Sequence, residues 1–182
     1  MTRQPTDITT VPPCDGTDAQ APAWQRWQAD NAVAAGTYHI TVNLLVRQDV
    51  IVNVRNVDFV RDAARPAPDG DVLSCAGGMD LTYAITADLS TNPPTMRYTC
   101  PTACVGTDGF SINATQGDNI TVEILVEPGP NALDTWHGSM RMAVGVNQAD
   151  LRFGTHQIAA YGPNQPLYDV NPAGPPYWDR VN

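Results

Sequence analysis

The chain has 182 residues, 42% of them apolar, and a formal net charge of -9. That length suits one domain with a sizeable core, and the acidic balance argues against a surface that holds nucleic acid or an anionic membrane. All ten basic residues are arginine, which excludes Schiff-base chemistry on lysine and the lysine of a phosphate-binding loop.

Residues 1–13 hold neither a charged start nor an apolar h-region, and no apolar run approaches the ~18 residues of a membrane span. The expectation is synthesis in the cytoplasm without a secretory leader. The two sequons, Asn113-Ala114-Thr115 and Asn119-Ile120-Thr121, are then chance matches that carry no sugar.

Residues 1–21 are rich in Thr, Pro, Asp and Ala without periodicity and predict an extended arm. A short helix is predicted over 22–35, with Pro22 in its first turn and Gly36 just past its end. Trp24 and Trp27 share a face of that helix. They either cover a sheet edge or anchor the chain on a partner subunit, since Trp is enriched at interface hot spots.

Residues 36–62 hold the longest alternation of apolar and polar residues. Tyr38, Ile40, Val42, Leu44 and Val46 lie on one side, with His39, Thr41, Asn43 and Arg47 on the other, and Leu45 breaks the pattern. Even parity resumes at Val50, Val52 and Val54. Facing residues in a hairpin share a side of the sheet, so a three-residue loop at 47–49 would pair Val46 with Val50 and Leu44 with Val52. Past Val54 the parity shifts to Val57 and Phe59, which predicts a bulge near Asn56.

Further strands are predicted over 72–76, over 79–88 from Met79, Leu81, Tyr83, Ile85 and Ala87, and around Met96, Tyr98 and Cys100. Others follow at Phe110 and Ile112, over 120–126, and over 139–146 with Met140, Met142, Val144 and Val146 inward. One or two weaker strands fall within 151–161. Each is bounded by turn residues. About eight or nine evenly spaced strands with no helical period between them predict an all-β fold: an antiparallel β-sandwich, jelly-roll-like or a small barrel. The organisation is an N-terminal arm over 1–35, a β-sandwich domain over 36–161, and an irregular Pro-rich tail over 162–182 that ends near Tyr177 and Trp178.

Four cysteines leave three chemistries open. Cys75 with Cys100 or Cys104 would staple neighbouring strands as a disulfide; all four, Cys14 included, could remain thiols; or they could bind zinc, although one CxxxC and two distant singles fit zinc poorly. Asp134, His137 and Ser139 are close in sequence, but triads are assembled by the fold and no GxSxG surrounds Ser139, so His137 is read as a loop residue. Asp15-Gly16-Thr17-Asp18 and Asp69-Gly70-Asp71 resemble pieces of calcium loops and are read as turns. No catalytic residue, metal site or cofactor is predicted.

The expected function is that of a non-enzymatic structural protein of a virus particle, a capsid decoration or cement subunit of a tailed phage localised to the virion. Its partners would be capsid subunits and itself, as a homo-oligomer, with a trimer favoured. Trp24, Trp27, Tyr177 and Trp178 are the candidate interface. A carbohydrate- or surface-binding module that stacks ligands on these rings and Trp136, or a tail or neck component, is the alternative. Deleting residues 1–35 should leave the β-domain folded but unable to attach.

Overall fold

The computed structural model describes residues 1–3, 6–14, 21–75, 83–101, 104, 108–170 and 178–182. A 3-10 turn (Ile8–Thr10) and one helix, α1 (Ala21–Asn31), precede a β-rich chain. The strands are β1 (Ala34–Ala35), β2 (Tyr38–Leu45), β3 (Val50–Pro66), β4 (Val72–Ser74), β5 (Tyr83–Asp88), β6 (Thr95–Thr99), β7 (Gly109–Ala114), β8 (Asn119–Glu127), β9 (Ala132–Val144), β10 (Asn147–Ala159), β11 (Leu167–Val170) and β12 (Trp178–Arg180). They form a five-stranded sheet in the order β1-β10-β9-β3-β7, a four-stranded sheet in the order β2-β8-β5-β6, and a three-stranded sheet in the order β12-β11-β4.

The hairpin predicted from 36–62 does not form. β2 pairs with β8, with Val42 opposite Val122, while β3 pairs with β7 and β9, so that Val52 faces both Ile112 and Val144. Alternation specifies which face of a strand is buried, not which strand lies beside it. β2 and β3 sit in different sheets that share one core, so the even residues of both feed that core. The predicted bulge is present: Asn56 has φ 50° and the β3–β9 register shifts between Arg55 and Asp58. It turns the inward row from Val52 and Val54 to Phe59.

That main core joins Val52, Val54, Phe59, Phe110, Ile112, Trp136 and Met140 from the five-stranded sheet to Ile85, Ile120, Val122, Ile124 and Val126 from the four-stranded one. Trp136 is its centre. The ring is fully buried between Phe59, Tyr38 and His156, and the Tyr38 hydroxyl lies 3.1 Å from His156 Nδ1.

Three strand pairs, β1–β10, β4–β11 and β5–β8, are parallel, which corrects the purely antiparallel expectation. Turn signals locate strand ends, whereas parallel pairs arise where the chain crosses between sheets, and the local sequence does not record that. α1 stops at Asn31, so Gly36 does not cap it; Gly36 instead follows β1 with φ 77°. Val146 is not inward. Val144 pairs with Asn147 across a two-residue turn of Gly145 and Val146, and Gly145 adopts the φ of 60° that such a turn needs. Residues Met79 and Leu81 of the predicted 79–88 strand lie outside the described residues.

Candidate functional site

At one end of the long strands Met1 and Val33, from the segment read as an arm, join Val72, Leu133 and Ala159 in a second core, against which Leu167 of the tail packs. The Met1 ammonium donates to the Val33 carbonyl at 2.9 Å, and burial lowers its pKa from 8.0 to about 6. Thr2 N–H donates to the Asp71 carbonyl and Asp71 N–H to Thr2 Oγ1, both at 2.8 Å. Asp71 Oδ2 accepts from Thr6 N–H at 2.9 Å. This gives the Asp69-Gly70-Asp71 turn its use: a Cβ at Gly70 would stand 1.9 Å from the Thr2 carbonyl oxygen, so only glycine lets the chain start lie against it.

Three of the four aromatic candidates for a partner interface come together here. Trp24 stacks on Trp27, with centroids 5.4 Å apart, and packs against Trp178 at 5.7 Å. The Trp178 indole N–H donates to the Val11 carbonyl at 3.2 Å, and its ring is buried. The rings therefore tie the two ends of the chain to each other; Tyr177 lies outside the described residues. The described residues at the chain start pack against the domain instead of extending away from it, and the tail, expected to be irregular, contributes β11 and β12. Apolar residues too sparse for a periodic signal become structural once they share a small core with residues distant in sequence.

The cysteines pair differently from the expected staple. Cys75 is bonded to Cys14 and Cys100 to Cys104. Cys75 follows β4, in the sheet that holds the tail, and Cys100 follows β6, in the four-stranded sheet, so a Cys75–Cys100 bridge would have to span two sheets. Cys14–Cys75 closes 61 residues of chain and fastens the N-terminal segment to the second core's surroundings.

The outer face of the five-stranded sheet carries the polar clusters. His137 is a strand residue in β9, not a loop residue, and its Nδ1 lies 2.8 Å from Asp62 Oδ2. Asp134 is buried on the other side of the strand, where it accepts from Gly129 N–H at 2.6 Å with Arg61 Nη1 at 3.9 Å. Asp134 and His137 therefore do not act together, and no triad exists among Asp134, His137 and Ser139. A depression of about 360 Å³ beside His137 is lined by Asp58, Ser139, Arg152 and Phe153. Nearby, Arg141 donates to Asp150 through two nitrogens, which holds the Asp150 carboxyl below the usual carboxylate range. Trp136 and Trp178 are buried, which removes both as stacking platforms for a sugar.

The opposite end of the long strands is where sequence reading missed most. Leu45 is 69% exposed, Ile51 52% and Val146 97%. They sit at the end of β2, the start of β3 and the β9–β10 turn. Hydrogen bonds knit these tips together: Gly145 N–H donates to the Ile51 carbonyl, Val46 N–H to the Asp118 carbonyl, and Gln116 N–H to Asp49 Oδ1. A hollow of about 520 Å³ beside them is lined by Asp49, Val50, Ile51, Asn113, Ala114 and Thr115. One signal for this surface was visible in the sequence, the break in alternation at Leu45.

The chain matches no protein-family model, no curated protein and no solved structure. Among the described residues no helix is long and apolar enough to cross a membrane, and no group of three or more His, Cys, Asp or Glu residues is placed to hold a metal ion.

Proposed function

We propose that this protein is a non-enzymatic structural subunit of a virus particle, a capsid decoration or cement protein of a tailed phage, built on a β-sandwich and docking on neighbouring subunits. The observation that carries this reading is the end remote from the termini, where Leu45 at the end of β2, Ile51 at the start of β3 and Val146 on the β9–β10 turn stand in solvent, with the neighbouring turns held by backbone hydrogen bonds. Exposed aliphatic side chains on rigid strand ends lose more water on docking than polar ones and cost little ordering entropy there.

This moves the expected attachment point from the arm to the tip, because Trp24, Trp27 and Trp178 are engaged with one another. The test is attachment of the purified chain to particles that lack it. Val146→Asp should weaken attachment about tenfold or more, as loss of a buried interface contact does, without changing the folded spectrum. Unchanged attachment would remove the tip from the interface. Failure of the intact chain to bind or co-purify with any particle fraction would overturn the virion assignment.

A further inference from the structure

β2 forms one edge of the four-stranded sheet, and among the described residues its only ladder runs to β8. That ladder holds from Tyr38–Val126 to Leu45–Asn119 without a register shift. Exposed strand edges are ordinarily protected by charge, proline, a bulge or brevity. The β2 sequence, Tyr-His-Ile-Thr-Val-Asn-Leu-Leu, has no proline and no Asp, Glu or Arg. Of the other edges of the two larger sheets, β7 also lacks charge and proline but is six residues long against eight for β2, and the remaining ones are protected. β6 is five residues long and carries Arg97, paired with Glu127 at 2.7 Å. β10 carries Asp150 and Arg152, is irregular between Phe153 and His156, and has its last two residues covered by β1.

We propose that the β2 edge is a homodimer interface, in which β2 pairs antiparallel with β2 of a second copy about a twofold axis at Val42. The pairing would join two four-stranded sheets into one continuous sheet. Facing residues must share a side of the sheet, so even residues oppose even ones. With the axis on Val42, Ile40 faces Leu44 of the second copy, Thr41 faces Asn43, and His39 faces Leu45. The chemistry of this edge permits a second copy of this chain, and its self-complementary register favours one. Each copy carries a net charge of -9, and β2 is an edge at which two such chains meet without opposing carboxylates. The nearby Glu123 is buried and accepts from Thr41 Oγ1 at 3.0 Å, so its charge is already engaged within its own sheet.

The register is also self-complementary. The inward residues Ile40, Val42 and Leu44 are only partly buried, unlike Val122 and Ile124 beside them, and each gains an aliphatic neighbour across the axis. Leu45, exposed on the outer side, gains the His39 ring. The contact is isologous and replaces the expected threefold association with a twofold one. It does not depend on the virion assignment.

The test uses the full chain in solution. Sedimentation equilibrium should give twice the chain mass. Asn43→Lys and, separately, Leu45→Lys should each raise the dimer dissociation constant at least about tenfold, while thermal unfolding shows each variant folded. Mixing Thr41→Cys with Asn43→Cys and oxidising mildly should give a covalent heterodimer. A chain that stays monomeric at every concentration overturns the proposal, including the case in which β2 accepts a strand from another protein. A dimer that both lysine variants leave intact, or that fails to cross-link, overturns it as well by placing the contact elsewhere. Attachment of the lysine variants to particles is scored separately, so loss of pairing and loss of docking are distinguishable.

Discussion

The two ends of the long strands, separated by about 40 Å if the thirteen residues of β9 rise ~3.3 Å each, are built on opposite principles. At one end Met1, Val33, Val72, Leu133 and Ala159, drawn from five separate stretches of chain, form a second core, and the Cys14–Cys75 disulfide and the rings of Trp24, Trp27 and Trp178 tie the N-terminal segment to β4 and β12. At the other end the turns are short, the backbone groups satisfy one another, and Leu45, Ile51 and Val146 are left in water. Apolar residues at the first end therefore contribute to folding. At the second end they contribute little to folding and are available for binding.

The strongest challenge to this contrast is removal of residues 1–35. The deletion uncovers Val72, Leu133 and Ala159 and removes β1 from the β10 edge, so the truncated chain should aggregate or unfold cooperatively at lower denaturant. A truncated chain that stays as stable as the full one would show that the second core is not coupled to the first. This reverses the expectation that the arm is dispensable for folding.

Trp178→Ala comes next. It deletes a buried ring, its packing on Trp24 and its bond to Val11, and should cost about 3–5 kcal/mol in chemical denaturation. Cys14→Ser should cost about 2–4 kcal/mol, because the 61-residue loop is no longer closed in the unfolded chain. A loss under about 0.5 kcal/mol, the size of an ordinary surface change, would mean that the closed end frays independently.

The buried amine supplies a pH test for a chain whose first residue is Met1. Its pKa is about 6 when folded against 8.0 as a free amine, so between these values the unfolded chain binds more protons. Stability should therefore rise as pH increases from about 6 to 8, by about 2–3 kcal/mol, with the penalty fully present below that window. Acetylation of the amine should flatten this slope.

The smallest effect on folding is expected at the open end. Val146→Asp should change stability by less than about 0.5 kcal/mol, since the side chain is 97% exposed, even though the same change weakens attachment. A large destabilisation would contradict the contrast between the ends.

Much of the strand inventory was legible in the sequence because a half-buried strand repeats every two residues. Ile120, Val122, Ile124 and Val126 alternate in sequence and are all buried in β8. The bulge at Asn56 was legible for the same reason, because an extra residue must shift the parity of Val54 against Phe59. Val146 misled because alternation carries no mark of where pairing stops. The β2–β3 hairpin misled because one residue parity serves equally for adjacent strands and for strands in two sheets over a common core. Trp24, Trp27 and Trp178 were visible as residues that needed burial or a partner, but not as partners of one another.

The sequence by itself determined a β-rich chain, most of its strand positions, many of their inward residues and the irregularity at Asn56, all of which follow from local alternation and turn chemistry. Tertiary structure decided which strands pair, which cysteines join, that both termini lie at one end, and that Leu45, Ile51 and Val146 are left exposed at the other. Those outcomes depend on contacts between residues tens of positions apart. Such contacts are set by how faces of similar polarity pack, and no short stretch of sequence encodes them.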